Sequence, residues 1–162
     1  MNNIEQEYSF KVTDIKPFIK YFKNNGFKKT SKTLEQRTLY RKKDKTLLRL
    51  TIKKSGHKII KEMDFKEDIL SNDVYIQRKE SLPIVYTDDE AVNSVINFLG
   101  YEKYITLIRT RYVFKKEDLK VEIDDYISPN KMFVVAIEGN VNKTSKIYNE
   151  LKEKYYKYFI NI

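Results

Sequence analysis

Ile4-Glu5-Gln6-Glu7-Tyr8-Ser9-Phe10-Lys11-Val12 alternates, with Glu5, Glu7, Ser9 and Lys11 on one side of an extended chain and Ile4, Tyr8, Phe10 and Val12 on the other. A period of two is that of a strand. Its polar side carries full charges where small polar groups would suffice, and the same habit recurs along the chain. In Leu48-Arg49-Leu50-Thr51-Ile52-Lys53, Arg49 and Lys53 share the face opposite Leu48, Leu50 and Ile52. Glu62, Asp64 and Lys66 oppose Met63 and Phe65, and Arg78 shares a face with Glu80. Arg109 and Arg111 share another, Glu122 and Asp124 oppose Val121 and Ile123, and Glu138 follows Val134 and Ala136.

Between these strands the period changes. Asp14 is expected to cap a helix in which Ile15, Phe18, Ile19 and Phe22 recur at helical spacing, with Gly26 as its stop. Strands are expected near 34–42, 46–53 and 58–67, with Lys54-Ser55-Gly56-His57 turning between the last two, so that His57 is a solvated turn residue. A strand near 74–81, a link through Pro83, a helix over about 89–99 and Gly100-Tyr101 follow, then strands near 105–114, 119–126 and 132–139. Strand, helix, Gly-aromatic and several strands thus occur twice, Gly26-Phe27 answering Gly100-Tyr101, a pseudo-repeat of element order. The tail, 143–159, reads as a closing helix carrying Ile147, Leu151, Tyr155 and Phe159.

The 162 residues, without a linker rich in Gly, Pro or Ser, suit a single domain over 1–162. With no cysteine and one histidine, a disulfide scaffold, thiolate chemistry and zinc clusters are excluded, and any metal must be a hard, oxygen-bound one. No apolar run is long enough for a spanning helix and the first residues lack the regions of a signal peptide, so a cytoplasmic protein with no membrane partner is expected. The net charge of +9 suits polyanions, a class that includes nucleic acid, membrane surfaces and small polyphosphates.

Two folds accommodate the charged faces. One is an antiparallel sheet with a wet side, where mixed charges form weak cross-strand pairs. The other is α+β: a closed antiparallel barrel of about eight strands, its outside packed against flanking helices and its inside a charged tunnel. That tunnel would hold Arg49, Lys53, Lys66, Arg78, Arg109 and Arg111 beside Glu5, Glu7, Glu80, Glu122, Asp124 and Glu138. Arginine forks match phosphate geometry, and carboxylates hold Mg²⁺ or Mn²⁺ against phosphates. An enclosed site of both signs fits a metal-triphosphate complex better than duplex DNA, which requires an exposed basic face.

In order, these segments resemble the CYTH, or triphosphate tunnel, superfamily. Glu5-Gln6-Glu7 resembles its N-terminal Glu-x-Glu-x-Lys strand, Leu48-Arg49-Leu50-Thr51 its Leu-Arg-x-Arg strand, and Asp64-Phe65-Lys66 the strand bearing a phosphate-binding lysine. Arg78-Lys79-Glu80 resembles its Arg-x-Glu strand, Arg109-Thr110-Arg111 the later basic strand, Val121-Glu122-Ile123-Asp124 the aspartate strand, and Ala136-Ile137-Glu138 the final Glu-x-Glu. The likeness spans roughly residues 4–139. Ser9, Thr51 and Ala136 depart from it, standing where the pattern has Lys, Arg and Glu, and Pro129-Asn130 replaces a Gly-containing turn. Lys11, Lys53 and Glu122 share faces with the altered positions.

The resemblance implies a metal site of Glu5, Glu7 and Glu138 with Asp124 as an additional carboxylate and Glu80 beside them, loaded with Mg²⁺ or Mn²⁺. It implies phosphate-binding cations at Arg49, Lys66, Arg109 and Arg111, with Lys53 and Arg78 on the same faces, and catalysis carried by Glu5, Glu7, Arg49 and Lys66. The activity implied is a metal-dependent triphosphatase acting on a nucleoside triphosphate, thiamine triphosphate or tripolyphosphate, in a monomer or homodimer. The alternatives are a class IV adenylate cyclase and a non-catalytic nucleotide or polyphosphate binder. Nucleic acid is the less favoured partner. Its best feature, Tyr155, Tyr156 and Tyr158 among Lys154 and Lys157, reads better as a helix with one aromatic core face and lysines outside.

Overall fold

The computed structural model describes residues 3–43 and 46–160. In chain order it runs β1 (Asn3–Val12), α1 (Lys16–Asn24), β2 (Lys28–Arg41), β3 (Thr46–Ser55), β4 (Lys58–Asn72), β5 (Tyr75–Glu80) and β6 (Ile84–Val85). It continues through α2 (Asp89–Phe98), β7 (Glu102–Lys116), β8 (Leu119–Ser128), β9 (Met132–Glu138) and α3 (Val141–Lys154). Strands lie in the order β3-β2-β7-β8-β9-β1-β5-β4, and β3 also pairs with β4, so eight antiparallel strands close into a barrel. The two-residue β6 pairs with Glu62 and Met63 of β4 outside that ring. Closure selects the tunnel over the half-wet sheet.

Apolar residues cover the outside. Phe10 and Val12 of β1, Phe114 of β7, Val121 and Ile123 of β8, and Val135 and Ile137 of β9 pack under α1 and α3, which contribute Phe18, Tyr21, Phe22, Tyr148 and Leu151. A second cluster joins Leu48 to Ile96 of α2 and Tyr101, with Leu50, Met63 and Phe65 alongside. No helix among the described residues is long and apolar enough to cross a membrane.

Several boundaries differ from expectation: β2 begins at Lys28 rather than near 34 and β4 runs to Asn72 rather than to about 67, and the helices differ at their ends. Asp14 accepts a hydrogen bond from the Lys16 N–H at 2.9 Å, but the residue that caps α1 is Ile15, without a side-chain bond. The tail helix stops at Lys154; Tyr156–Tyr158 form a 3-10 turn and Phe159 bridges Val12. The physical reason lies in β1, which β5 covers only as far as Tyr8. Beyond that point its backbone groups need partners, and the chain end supplies them. Thr13 N–H donates to Tyr158 O at 2.9 Å and Ile160 N–H to Lys11 O at 3.1 Å, while Phe159 stacks on Phe10 with centroids 4.7 Å apart. Tyr155 and Tyr158 pack against the core, as the aromatic-face reading expects.

The pseudo-repeat of the sequence is a two-fold of the barrel. Exchanging β1 with β5, β2 with β7, β3 with β8 and β4 with β9 turns each pairing into another observed one, and β1–β5 and β2–β7 into themselves. Both helices of the repeat end alike. Gly26 (φ 84°) and Gly100 (φ 79°) reach the left-handed region that closes a helix, and the next N–H, of Phe27 or Tyr101, donates back to Phe22 O or Ile96 O. The β2–β7 ladder shifts register at Thr30 and at Tyr104, each four residues past its glycine.

Phe18 is fully buried between β1 and the chain end, in ring contact with Phe10, Tyr155 and Phe159. Phe18→Ala should destabilise the protein by about 3–5 kcal/mol in urea titrations, through loss of both the helix contact and the C-terminal clasp.

Candidate functional site

Alternation on a closed sheet sends every second residue inward, and here most of those residues are charged. The cavity is about 450 Å³ and among the described residues is lined by eight cations and eight carboxylates. All twelve charged residues expected in the tunnel line it; sequence reasoning missed Arg37, Lys120, Glu62 and Asp64 as lining groups. It also missed Glu35, which is buried behind the lining against Arg109. The signal for Glu35 and Arg37 was present: with Leu39 they form the odd-numbered face of a strand already expected at 34–42. Lys11 is exposed and does not line the cavity, so it does not compensate for Ser9.

Most cations are held by carboxylates. Arg49 makes a two-point contact with Asp64, its Nε 2.9 Å from Oδ1, and its Nη2 lies 3.3 Å from Glu80. Lys66 is 2.9 Å from Glu80, Arg78 is 2.6 Å from Glu7, and Lys53 is 2.9 Å from Glu62. Arg109 donates Nε and Nη2 to Glu35 at 3.1 and 2.9 Å and Nη1 to the Tyr126 hydroxyl at 2.8 Å. Arg111 donates to both oxygens of Asp124 at 2.7 and 2.8 Å and to Glu122 at 2.5 Å. Lys120 is 2.9 Å from Glu138.

The carboxylates divide into two populations. Glu80 and Asp124, expected near the metal, are taken up by Lys66, Arg49, Arg111 and Arg109. Glu5, Glu7 and Glu138 converge, each offering an oxygen within 4.8 Å of the others, while Glu7 also pairs with Arg78 and Glu138 with Lys120. Glu5 Oε2 is buried and has no hydrogen-bond partner among the described residues, the Lys66 ammonium being 3.7 Å away. Three hard oxygen donors with one left unsatisfied fit a divalent cation such as Mg²⁺ or Mn²⁺.

The altered positions of the resembled pattern fall together in space. Ser9 and Ala136 are direct cross-strand partners, so the Lys and Glu they replace would have faced each other across β1 and β9. Thr51 is the cross-strand partner of Arg37, whose Nε donates to the Thr51 hydroxyl at 3.0 Å. A guanidinium therefore projects from β2 beside the position where the pattern has one on β3.

No protein-family model matches the sequence, and no curated protein matches it. Solved structures share the fold. A protein of Pyrococcus horikoshii OT3 superposes with a TM-score of 0.72 at 18% identity, over 92% of this chain and 88% of that one. A candidate adenylate cyclase of Bacillus halodurans gives 0.65 at 12%, over 99% and 94%. A chain of the Schizosaccharomyces pombe Mediator head module gives 0.68 at 13%, over 98% and 97%. The barrel implied by the resemblance to the triphosphate tunnel superfamily is thus the one observed.

Protonation follows the same division. Burial works to raise Glu35 and Glu80, but Arg111, Arg109 and Arg37 outweigh it at Glu35, and Lys66 and Arg49 hold Glu80 at about 2. Such groups contribute stability that is complete above about pH 4.5 and is lost as pH falls through their native values. Burial instead raises Glu7, and burial with the adjacent Glu122 and Glu5 raises Glu138 far more. A raised carboxyl favours the fold at low pH and opposes it as pH climbs above about 4.5, where the unfolded chain ionises. In chelator, Glu138→Gln should therefore raise the melting temperature at pH 7 and change it little at pH 4, as differential scanning calorimetry would show.

Proposed function

We propose that the barrel binds a triphosphate-containing small molecule with Mg²⁺ or Mn²⁺ and hydrolyses it within the tunnel. The observation that carries this reading is the convergence of Glu5, Glu7 and Glu138 around an unsatisfied oxygen, in a cavity whose other charges are arginines and lysines. Glu5, Glu7 and Glu138 would hold the metal, which when bound supplies charge neutralisation for the phosphoryl group and lowers the pKa of water. Phosphoryl transfer is mainly positioning plus electrostatic stabilisation, which the remaining residues provide.

Arg49, Lys66, Arg109 and Arg111 bind phosphate oxygens by exchanging partners. Each is engaged by a carboxylate, so binding a free polyanion would leave those carboxylates buried and unpaired. A metal-triphosphate complex brings both signs and balances the exchange. Lys53 and Arg78, held by Glu62 and Glu7, extend the cationic lining along β3 and β5. Fixed donors aimed at a phosphoryl group from the barrel wall need no reorganisation as charge develops on it, which strengthens each contact.

A second reading, binding without turnover, is favoured by Ser9 and Ala136, which leave a cation and a carboxylate fewer than the resembled pattern. The cyclase alternative lacks such support. Among the described residues that line the cavity Tyr126 carries the only aromatic ring, and its hydroxyl is engaged by Arg109.

Phosphate, pyrophosphate and cyclic-nucleotide release from ATP, GTP, thiamine triphosphate and tripolyphosphate, with Mg²⁺ or Mn²⁺, tests these readings. Metal-dependent phosphate release is expected, lost in chelator and reduced about 10²-fold or more in Glu7→Gln. Binding of the metal complex without release of any product would establish the second reading instead.

A further inference from the structure

The two-fold of the barrel provides an internal comparison. Arg37 and Arg111 each stand eleven residues past the glycine that ends the preceding helix, on the paired strands β2 and β7. Each faces a direct cross-strand partner on the following strand: Asp124 for Arg111 and Thr51 for Arg37. The same slot therefore occurs twice. In one copy the guanidinium is clamped by both oxygens of Asp124 and by Glu122; in the other it meets a hydroxyl through Nε alone.

Among the described residues Arg37 is the cavity-lining cation with no carboxylate within ion-pair distance, and neither of its terminal nitrogens has a protein acceptor. Its surroundings make that unfavourable. Burial and the neighbouring Arg109, Arg49 and Arg111 push its pKa down to about 9, with Glu35 pulling the other way and already bound to Arg109. The two terminal nitrogens of a guanidinium that lines a cavity form the fork that grips an oxyanion bidentately. β2 lies across the eight-strand ring from β1, four strands away by either path, so Arg37 is on the wall opposite Glu5 and Glu7.

We infer that Arg37, left without a counter-carboxylate by Thr51, is an oxyanion-binding site of the tunnel, and that it takes a phosphoryl group of a polyphosphate without help from a metal. The site shares the tunnel of the function proposed above but not its metal, and the two fail separately. A phosphate chain that reaches both Arg37 and the carboxylate cluster lies across the bore, with the end remote from the metal on Arg37. Where the other cations must abandon carboxylates to bind phosphate, Arg37 abandons none.

The test is calorimetric titration of tripolyphosphate in excess chelator at pH 7, with melting temperatures measured alongside in anion-free buffer. Three variants are compared with the full-length protein: Arg37→Gln, Thr51→Asp and Thr51→Ser. Thr51→Asp recreates on β3 the carboxylate that Asp124 presents on β8, and should close the site by pairing with Arg37. Binding is expected in the unaltered protein and in Thr51→Ser, and weakened about tenfold or more in Arg37→Gln and Thr51→Asp. Both of those variants should melt at or above the parent's temperature, since one removes an uncompensated charge and the other pairs it. A merely structural arginine would give the opposite, a lower melting temperature on removal.

The inference is overturned if the unaltered protein does not bind tripolyphosphate in chelator, or if Arg37→Gln and Thr51→Asp bind within twofold of it. Should Arg37→Gln fail to fold, that result counts against the site, and Thr51→Asp still reports on binding with the arginine present. Anion binding in chelator without metal-dependent turnover would support the Arg37 site while overturning the hydrolase.

Discussion

A strand that closes into a barrel cannot choose which of its faces is wet. Every second side chain enters the bore, and in this protein most of those side chains are charged, so each charge calls for an opposite partner across a strand or across the lumen, which among the described residues all but Arg37 have. That requirement shapes the rest. The apolar stripes are forced outward, α1, α2 and α3 are needed to cover them, and the core lies around the barrel. The interior is a lattice of ion pairs in which Arg49–Asp64, Arg109–Glu35 and Arg111–Asp124 each use two donors of a guanidinium. Such pairs contribute little net stability once desolvation is counted, but they fix where each charge sits.

Much of this was legible because a charge on alternate residues is a strong periodic signal. Arg109 with Arg111, and Glu122 with Asp124, identify an interior face without any knowledge of the partner strand. Pairing was not legible, since it depends on register. Nothing in the sequence places Thr51 opposite Arg37 or Ser9 opposite Ala136, yet those registers decide what the departures from the resembled pattern mean. Read one residue at a time, Ser9 and Ala136 are separate losses; in the sheet they are the two halves of one exchange. Likewise nothing in the sequence shows that Asp124, which the resemblance gives as an additional metal-site carboxylate, has Arg111 on both its oxygens. The end of α3 was hidden for a similar reason: helical spacing continues through Tyr155, but the unmet backbone of β1 takes the last residues out of the helix.

The two-fold also accounts for why a weak repeat of element order was visible when residue identity had been lost. What the barrel preserves between its halves is geometry: a glycine at each helix end, an irregularity four residues on, and an inward arginine eleven residues on. Side chains around those fixed points have diverged, and the difference between Asp124 and Thr51 gives the halves unequal electrostatics on an equal frame.

The charge of the lining has a bearing on kinetics. Eight cations and eight carboxylates cancel formally, so the net +9 of the chain is carried by residues away from the cavity. Attraction and recognition are thereby separated. The outer surface sets a long-range field that draws anions toward the barrel and is screened within about 10 Å at 0.1 M salt. The bore acts at contact, by matching individual oxygens to individual donors, and is screened far less. Ionic strength consequently governs how fast an anion arrives more than how long it stays.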